Sequence, residues 1–263
     1  MTPYIMDNAA EGERIEQKTD VVLTRGQLDW AGFAAGNHVL DLGCAAGTTS
    51  RIMAELVGRD GRVVGVDASE TRIGDARRRT ASDSVEFRHG TAEAIPLDDD
   101  VVDVAWSRFL FEYLPEPTHA LREMIRVTKP GGTVAVSDLD GNCTWHDGMD
   151  TALRDEIASA IESFGRGFDP GVGRKLPAMF LSSGLTDVQI DIRPYHVVCG
   201  RITEPELSHW RMKLTGVREA LIGLGWSNER ANALSAGFES HLLDERTFTY
   251  SVLVTVKGTR GST

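Results

Sequence analysis

The sequence predicts an α/β protein with a doubly wound, mostly parallel sheet. From Gly36 to Asp140, short strand patterns alternate with helical patterns. These strands are apolar without alternation, which is typical of parallel strands covered by helices on both faces. A turn of small residues, 43–47, separates the first strand from the first helix, as in open sheets that bind nucleotide-like ligands. With two further strand patterns late in the chain, we expect seven strands and a helical lid inserted near the end.

The core elements follow one another at short intervals. Strands are expected at HVLDLG (38–43), RVVGVDAS (62–69), SVEFRH (84–89), VVDVAWS (101–107) and TVAVSDLD (133–140). Helices are expected between them at 48–57, 69–81 and 117–129, and Pro130-Gly131-Gly132 ends the last of these. This order predicts one doubly wound unit.

The pattern changes after Asp140. GNCTWHDG (141–148) is loop-like, and helical patterns follow at 149–164 and 175–183. A strand at 187–198 and another at 247–258 flank helices at 204–224 and 227–243, so we expect the two strands side by side at the sheet edge with the helices above. The last residues, GTRGST, are expected to be disordered. The proposed divisions are an N-terminal segment (1–35), a ligand-binding core (36–140), a substrate-side region (141–185), and edge strands (186–263) with lid helices at 200–246.

Composition excludes several classes of protein. The chain has 263 residues and a net charge of −11, which argues against binding to a nucleic-acid backbone or an anionic membrane. Cys44, Cys143 and Cys199 are too few and too widely spaced for a disulfide framework or a metal site. The N-terminus has no signal-peptide pattern, and no apolar run approaches the roughly 20 residues of a membrane span. We expect a cytoplasmic protein without a metal.

The turn after the first strand admits more than one ligand. Small residues at 43, 45 and 47 allow close backbone approach, and the helix from Thr48 presents free N–H groups to a pyrophosphate or a carboxylate. Tight helix–strand packing alone is the alternative explanation. Asp67, which ends the second strand, favours a ligand because its carboxylate can accept hydrogen bonds from ribose hydroxyls. The alternative is that Asp67 caps the next helix, although Ser69 is better placed to do so.

Four segments in order carry a specific resemblance: VLDLGCAAG, VVGVDAS, FRHGTAEAIPLDDDVVDVAWS and REMIRVTKPGGTVAVSDLD. They resemble the motifs of class I S-adenosylmethionine-dependent methyltransferases, in the small-molecule branch that includes the ubiquinone/menaquinone C-methyltransferases (methyltransferase type 11). The resemblance implies S-adenosyl-L-methionine as cofactor and S-adenosyl-L-homocysteine as product. The N-terminal YIMDNAAEGERIEQK also resembles the leader helix of that branch, so residues 1–35 are expected to be a helical leader that folds over the cofactor. The residues that the resemblance implies as cofactor contacts are Asp41, Gly43, Ala45 and Gly47 for the methionine part, Asp67 for ribose, Ala68, Thr91 and Ala92 for adenine, Ser107 near the sulfonium, and Tyr4 in the leader. Ala45 replaces the commoner glycine, and Thr91 replaces a common acidic residue.

The substrate half of the chain has weaker signals. We expect methylation of a small apolar or aromatic metabolite, in secondary metabolism, at O, C or N. His146 is a candidate general base, and the alternative is a loop histidine bonded to Asp147. Phe109, Tyr113, His146 and Tyr195 are the candidate substrate contacts. Cys44 is interpreted as a small buried apolar residue, because methyl transfer from a sulfonium needs no protein nucleophile.

Three other functions stay open. An enzyme of the same fold could bind the same cofactor and catalyse cyclisation, decarboxylation or hydroxylation. A nicotinamide-dependent oxidoreductase shares the turn and the strand-end acid, but CAAG and the late PGG-strand pattern disfavour it. A non-enzymatic role would have the late helices dock another protein, and the same helices offer a surface for a homodimer.

Overall fold

A computed structural model describes residues 19–262 of the chain. It contains one seven-stranded sheet in the order β3-β2-β1-β4-β5-β7-β6. The strands are β1 (His38–Leu42), β2 (Arg62–Asp67), β3 (Val85–His89), β4 (Val102–Arg108), β5 (Thr128–Asp147), β6 (Thr186–Cys199) and β7 (Phe248–Thr259). The first five pair in parallel, and β7 pairs antiparallel with both β5 and β6. The predicted α/β class and the seven strands are confirmed.

The helices cover both faces of this sheet. They are α1 (Val21–Ala31), α2 (Thr48–Val57), α3 (Glu70–Arg79), α4 (Pro117–Val127), α5 (Thr151–Phe164), α6 (Val172–Leu181), α7 (Glu204–Gly223) and α8 (Asn228–Leu243). On one face, α1 and α2 bury Leu28 and Met53 against the sheet, in a cluster that includes Trp106. On the other face, α4 and α6 contribute Met124 and Phe180 to the largest cluster. The sheet is therefore the middle of three layers.

The strand order reverses between β1 and β4, because β2 and β3 lie to one side of β1 while β4 and β5 lie to the other. Connections leave the carboxyl ends of β1 and β4 in opposite directions, which opens a crevice at this point. Open α/β sheets bind ligands there. The predicted turn 43–47 starts at this reversal.

Helices α7 and α8 lie between β6 and β7 in the chain, as predicted. They pack with α5 around a separate apolar cluster that contains Trp210, Trp226 and Phe238. These three helices thus have an apolar core of their own. The predicted adjacency of the two late strands is also confirmed, with Ile192 opposite Val254.

Two predictions about the late chain are wrong. Residues 141–147 form a continuation of β5 rather than a loop, because β7 supplies a partner: Trp145 pairs with Tyr250 and His146 with Thr249, past a register shift after Asp140. The segment from 258 is not disordered at its start. Gly258 and Thr259 belong to β7, and the Arg260 side chain donates hydrogen bonds to the carbonyl oxygens of Ile125 (3.0 Å) and Arg126 (2.9 Å).

Several boundaries also differ from the prediction. Helix α4 ends at Val127, and Pro130-Gly131-Gly132 lies inside β5, at a register shift in the pairing with β4. Helix α6 begins at Val172 rather than 175. Gly131 and Gly132, which were expected to end a helix, form backbone hydrogen bonds with Arg260. These glycines therefore allow an irregular strand start rather than ending a helix.

Candidate active site

The turn between β1 and α2 is held in a left-handed path. Gly43, Ala45 and Gly47 have φ values of 79°, 47° and 80°. Glycine adopts this region freely, whereas an alanine there costs about 1–2 kcal/mol. The Ala45 N–H donates to Asp67 Oδ2 at 2.9 Å, which holds the alanine in place. No side chain caps the N-terminus of α2 at Gly47, so its first N–H groups are left for a ligand or solvent.

Asp41 is a buried carboxylate at the carboxyl end of β1. Its side chain accepts a hydrogen bond from the Ser50 hydroxyl of α2 at 2.6 Å. Burial raises the pKa of Asp41 to about 6, the negative charge of Asp67 adds to this, and the Ser50 hydrogen bond opposes it. The carboxylate is therefore charged at neutral pH at a cost to the unliganded protein, and a cation would relieve that cost.

Asp67 ends β2 one strand away from Asp41. One carboxylate oxygen accepts the Ala45 N–H, and the other accepts the Ser69 N–H at 2.9 Å. Ser69, rather than Asp67, caps α3, with its hydroxyl accepting the Arg72 N–H at 3.4 Å, as the sequence favoured. Each carboxylate oxygen of Asp67 keeps a second lone pair available to a ligand.

The other predicted cofactor contacts lie along the same sheet edge. Ala68 follows Asp67, and its carbonyl oxygen lies 3.0 Å from His89 Nε2. Thr91 and Ala92 lie in the turn after β3, where Thr91 and Ala94 form an isolated bridge. Ser107, fully buried in β4, donates to the Leu42 carbonyl oxygen at 3.1 Å and so joins β4 to β1. Tyr4 lies outside the described residues.

Phe109 and Tyr195 are brought together beside the end of β4. Their ring centroids are 5.5 Å apart. Phe109 has a φ of 56° and His196 a φ of 50°, which is strained backbone for large side chains, and such strain clusters at functional sites. From Tyr195 a series of ring contacts of 4.3–5.4 Å continues through His196, Trp210 and Phe238 to His146. An aromatic wall thus joins the end of β4 to the cluster under α7 and α8.

Tyr113 and His146 have other ring partners. Tyr113 contacts Phe168 at a centroid distance of 5.7 Å. His146 is at the far end of the aromatic wall, and its Nδ1 lies 2.5 Å from the Thr249 hydroxyl, while its ring is edge-on to His241 at 5.3 Å. Of the four candidate substrate contacts, Phe109 and Tyr195 are in direct ring contact.

The sequence analysis missed a buried polar network at the end of β5. Asp138 accepts the Glu112 N–H at 3.2 Å, the Asn142 amide donates to the Glu112 carboxylate at 2.8 Å, and Lys213 of α7 donates to Asn142 at 2.9 Å. Burial, and then the charge of Glu112, raises the pKa of Asp138 well above its ordinary value. The acidic segment SDLD (137–140), at the end of a predicted strand, was the feature of the sequence that could have indicated this network.

A second missed residue is Arg108, the last residue of β4. Its guanidinium carbon lies 4.3 Å from the Phe109 ring centroid. In the sequence, Arg108 is visible as a charged residue directly after the apolar strand pattern VVDVAWS. Its place in the sheet becomes known only from the pairing of β4 with β1 and β5.

Other findings restrict the chemistry of the site. Cys44 is 4% exposed, and burial raises the pKa of its thiol well above the ordinary value, so it is no nucleophile at neutral pH. Within residues 19–262, no group of three or more His, Cys, Asp or Glu side chains is placed to hold a metal ion. None of the described helices is both long and apolar enough to cross a bilayer.

Residues 40–136 match a family model described as a methyltransferase domain. Over similar segments, the chain is 39% identical to the arsenite methyltransferase of Halobacterium salinarum (42% of this chain, 29% of that protein). It is 35% identical to the demethylmenaquinone methyltransferase of Shouchella clausii (42% of this chain, 47% of that protein). The matched segment thus spans less than half of each of these relatives.

Solved structures resemble nearly the whole chain. A putative methyltransferase of Haloferax volcanii, in complex with the Trm112 methyltransferase activator, gives a TM-score of 0.61 at 23% identity and covers 96% of this chain and 94% of its own. The [4+2]-cyclase SpnF gives a TM-score of 0.57 at 20% identity, over 92% of this chain and 82% of its own. At these identities the likeness establishes the fold alone.

Proposed function

We propose, from the premise that residues 40–136 form a methyltransferase domain, that this protein transfers a methyl group from S-adenosylmethionine to a small acceptor. One observation carries the proposal. Asp41 and Asp67 stand at the ends of paired parallel strands, and the left-handed turn 43–47 lies between them at the strand reversal. Two carboxylates around a small-residue turn suit a ligand with a cationic amino-acid part and a ribose.

The residues present fit this cofactor. Asp67 would hold the ribose hydroxyls through its remaining lone pairs, and Asp41 would pair with the ammonium group of the methionine part. Gly43, Ala45 and Gly47 admit the ligand beside the backbone. The turn that carries Thr91 and Ala92, together with Ala68, would border the adenine, and Ser107 would border the sulfonium. This assignment of contacts is supported by the positions of the residues along one sheet edge.

When bound, the cofactor supplies a methyl group on a sulfonium, which is an excellent leaving group. The protein's task is then to align an acceptor atom at roughly 3 Å from that carbon and to exclude water. The strained Phe109 backbone and the Tyr195 ring fix one side of the acceptor site. The helices α7 and α8, which hold Trp210 and Phe238, would cover it as a lid.

We propose that the acceptor is a small apolar or aromatic metabolite of secondary metabolism, methylated at O, C or N. The aromatic wall from Phe109 to Phe238 supports this, because rings bind flat apolar molecules without requiring specific hydrogen bonds. Tyr113, whose ring contacts Phe168, would contact a larger acceptor. His146 remains a candidate general base, now with Thr249 as the partner that fixes its ring.

The proposal is tested in two steps. Isothermal titration of the purified protein with S-adenosylhomocysteine should give one site per chain, and absence of binding overturns the proposal. Incubation with S-adenosylmethionine and a library of phenols, quinols and amines, followed by mass spectrometry, should then detect a product heavier by one CH₂. A product whose mass is unchanged, lower or raised by one oxygen would indicate the alternative of a non-methylating reaction in the same site. A shift in melting temperature with a nicotinamide cofactor alone would indicate an oxidoreductase.

The remaining expectations are part of the same proposal. The partner is a small molecule rather than a nucleic acid or membrane, in keeping with the net charge of −11. A cytoplasmic location and a homodimer through α7 and α8 are proposed on the sequence grounds given above. Sedimentation analysis of the wild type, and of a variant with charges on the exposed faces of α7 and α8, tests the homodimer.

A further inference from the structure

We propose that Glu112 accepts the proton of a hydroxyl group on the acceptor, and that the acceptor is a phenol or quinol methylated at oxygen. This inference rests on the proposed function and deepens it, because it names the class of acceptor and the residue that receives its proton. Glu112 lies in the short 3-10 helix Phe111–Tyr113 that follows β4.

Glu112 lies where the aromatic wall and the buried polar network meet. From Phe109, three residues before Glu112, the wall reaches Trp210 of α7 through two intermediate rings. The network returns from the next turn of α7, where Lys213 Nζ lies 5.0 Å from the Trp210 ring centroid and donates to Asn142. The Asn142 amide donates to the Glu112 carboxylate at 2.8 Å. The wall and the network therefore border one region beyond the end of β4, one with apolar rings and the other with charged groups.

Glu112 holds the negative charge of a buried pair of acids. Its side chain is almost fully buried, and that of Asp138 is completely so. Asp138 accepts the backbone N–H groups of Glu112 and Leu139 at 3.2 and 2.8 Å. Burial, and then the charge of Glu112, raises the pKa of Asp138 well above its ordinary value, so the pair keeps a proton on Asp138 and its charge on Glu112. A buried carboxylate is costly, and such groups are typical of sites that take up a proton.

The charges around Glu112 favour a hydroxyl group over an amine. Lys213 contributes an ammonium group from α7, and it would stabilise the phenolate that develops as the proton leaves, while repelling a cationic acceptor. Before α6, Asp169 donates its backbone N–H to the Glu112 carbonyl oxygen at 2.7 Å, and its own carboxylate pairs with Lys175. A neutral amine needs no base before it attacks, because it loses its proton after the methyl transfer. A phenol gains most from a positioned carboxylate.

The proposed step is balanced without a further reactant. The hydroxyl proton passes to the Glu112 carboxylate as the phenol oxygen forms a bond to the methyl carbon. The bond between that carbon and sulfur breaks, and its electron pair stays on sulfur. The products are the methyl ether and S-adenosylhomocysteine, and Glu112 returns the proton to solvent after the ether has left. A general base of this kind contributes roughly 10²–10⁴ in rate.

Binding measurements test the preference for a hydroxyl group without turnover. Isothermal titration compares 4-methylphenol with 1,4-xylene, in which a methyl group replaces the hydroxyl, on the protein saturated with S-adenosylhomocysteine. We expect the wild type to bind the phenol at least about tenfold more tightly. In Glu112→Gln the preference should fall to about threefold or less, because the hydrogen bond to a charged acceptor is lost. A wild type without this preference, including one that binds neither compound, overturns the inference.

Rates of methyl transfer test the role of Glu112 as proton acceptor. Mass spectrometry measures the rates with 4-methylphenol and with 4-nitrophenol, which ionises in water near neutral pH. We expect Glu112→Gln to lose about 100-fold or more with 4-methylphenol and less than about tenfold with 4-nitrophenol, because the acidic phenol needs no base. A network that only stabilises the fold would lower both rates by the same factor. The ratio of the two rates is measured on one sample, so it does not depend on the fraction of folded protein.

Controls separate Glu112 from other groups. Glu116→Gln changes a half-exposed acid in the same connection between β4 and α4, and should behave as the wild type in both experiments. A selective loss with 4-methylphenol in His146→Ala, but not in Glu112→Gln, overturns the assignment to Glu112. Failure of the wild type to methylate any phenol overturns the inference, while the proposed function stands if amines or carbon acceptors are methylated. Failure to bind S-adenosylhomocysteine overturns the proposed function as well.

Discussion

The charge on Asp41 should destabilise the unliganded protein, and its removal should therefore stabilise the fold. Asp41 is 2% exposed, and its pKa is raised from 3.8 to about 6. Each pKa unit corresponds to 1.36 kcal/mol, so at pH 7.5 the ionised carboxylate costs about 3 kcal/mol relative to the unfolded chain. Asp41→Asn keeps an oxygen that can accept the Ser50 hydroxyl and removes the charge. We expect the variant to be more stable by up to that amount.

The stability difference between the wild type and Asp41→Asn should depend on pH in a defined direction. Because the folded pKa lies above the unfolded value, the wild type loses stability relative to the variant as pH rises from about 4 to about 6. The advantage of Asp41→Asn should be about 1.5 kcal/mol at pH 5 and about 3 kcal/mol at pH 7.5, and should change little above that. Urea unfolding of the unliganded proteins at these pH values measures the difference. The same variant should bind S-adenosylhomocysteine at least about tenfold more weakly, since the ammonium group loses its partner.

The matched control is Ser50→Ala. It removes the hydrogen bond that lowers the pKa of Asp41 while leaving the charge, so it should destabilise the protein, and more so at pH 7.5 than at pH 5. An Asp41→Asn protein that is no more stable than the wild type at pH 7.5 would refute the argument. A stability gain that is the same at pH 5 and pH 7.5 would refute its electrostatic basis.

Three further perturbations follow from the structure. Gly47→Ala would bring a Cβ to 2.7 Å from Phe87 at a φ of +80°, and should lower the free energy of unfolding by about 2 kcal/mol or more. Gly36→Ala, with a φ of +85° but open space around the Cβ, should lower it by about 1 kcal/mol. Equal losses in urea unfolding would contradict the contribution of the Phe87 clash. His146→Ala should lower the free energy of unfolding by about 2 kcal/mol, because the contact with Thr249 and the ring packing are lost. A fall in kcat with an unchanged free energy of unfolding would support the general-base role of His146. Arg260→Met should lower the melting temperature by several degrees, about 1–2 kcal/mol, because carbonyl oxygens at the end of α4 lose a donor; an unchanged melting temperature would show that this anchor is dispensable.

The sequence was sufficient for the core because its signals are local. Helix α2 has the predicted bounds 48–57, since Gly47 precedes it and Gly58 ends it. The strands β1, β2 and β4 agree within two residues, because uninterrupted apolar runs between polar turns have few alternative structures. The turn 43–47 and Asp67 could be selected for the same reason, since strand ends and small residues are visible in the sequence.

Long-range pairing explains most of what was missed. Residues 141–147 contain glycine, asparagine and threonine and have no strand pattern of their own, and their partner Tyr250 lies about a hundred residues away. The contacts of Arg108 and Asp138 depend on which strands are neighbours, and local patterns do not determine that. The ring contact between Phe109 and Tyr195 likewise needs β6 to be placed in the sheet.

The position of β7 also orders the events of folding. This strand leaves the ribosome after β6, yet it lies between β5 and β6. During synthesis, β6 and the helices α7 and α8 therefore have no sheet edge to join until residues 248–259 emerge, whereas β1 to β5 can already pair. The half with the cofactor turn can form early, and the half that would cover the acceptor must wait. Hydrogen exchange on nascent chains stalled on the ribosome before residue 248 should accordingly show protection at Leu40 and Val104 but not at Ile192.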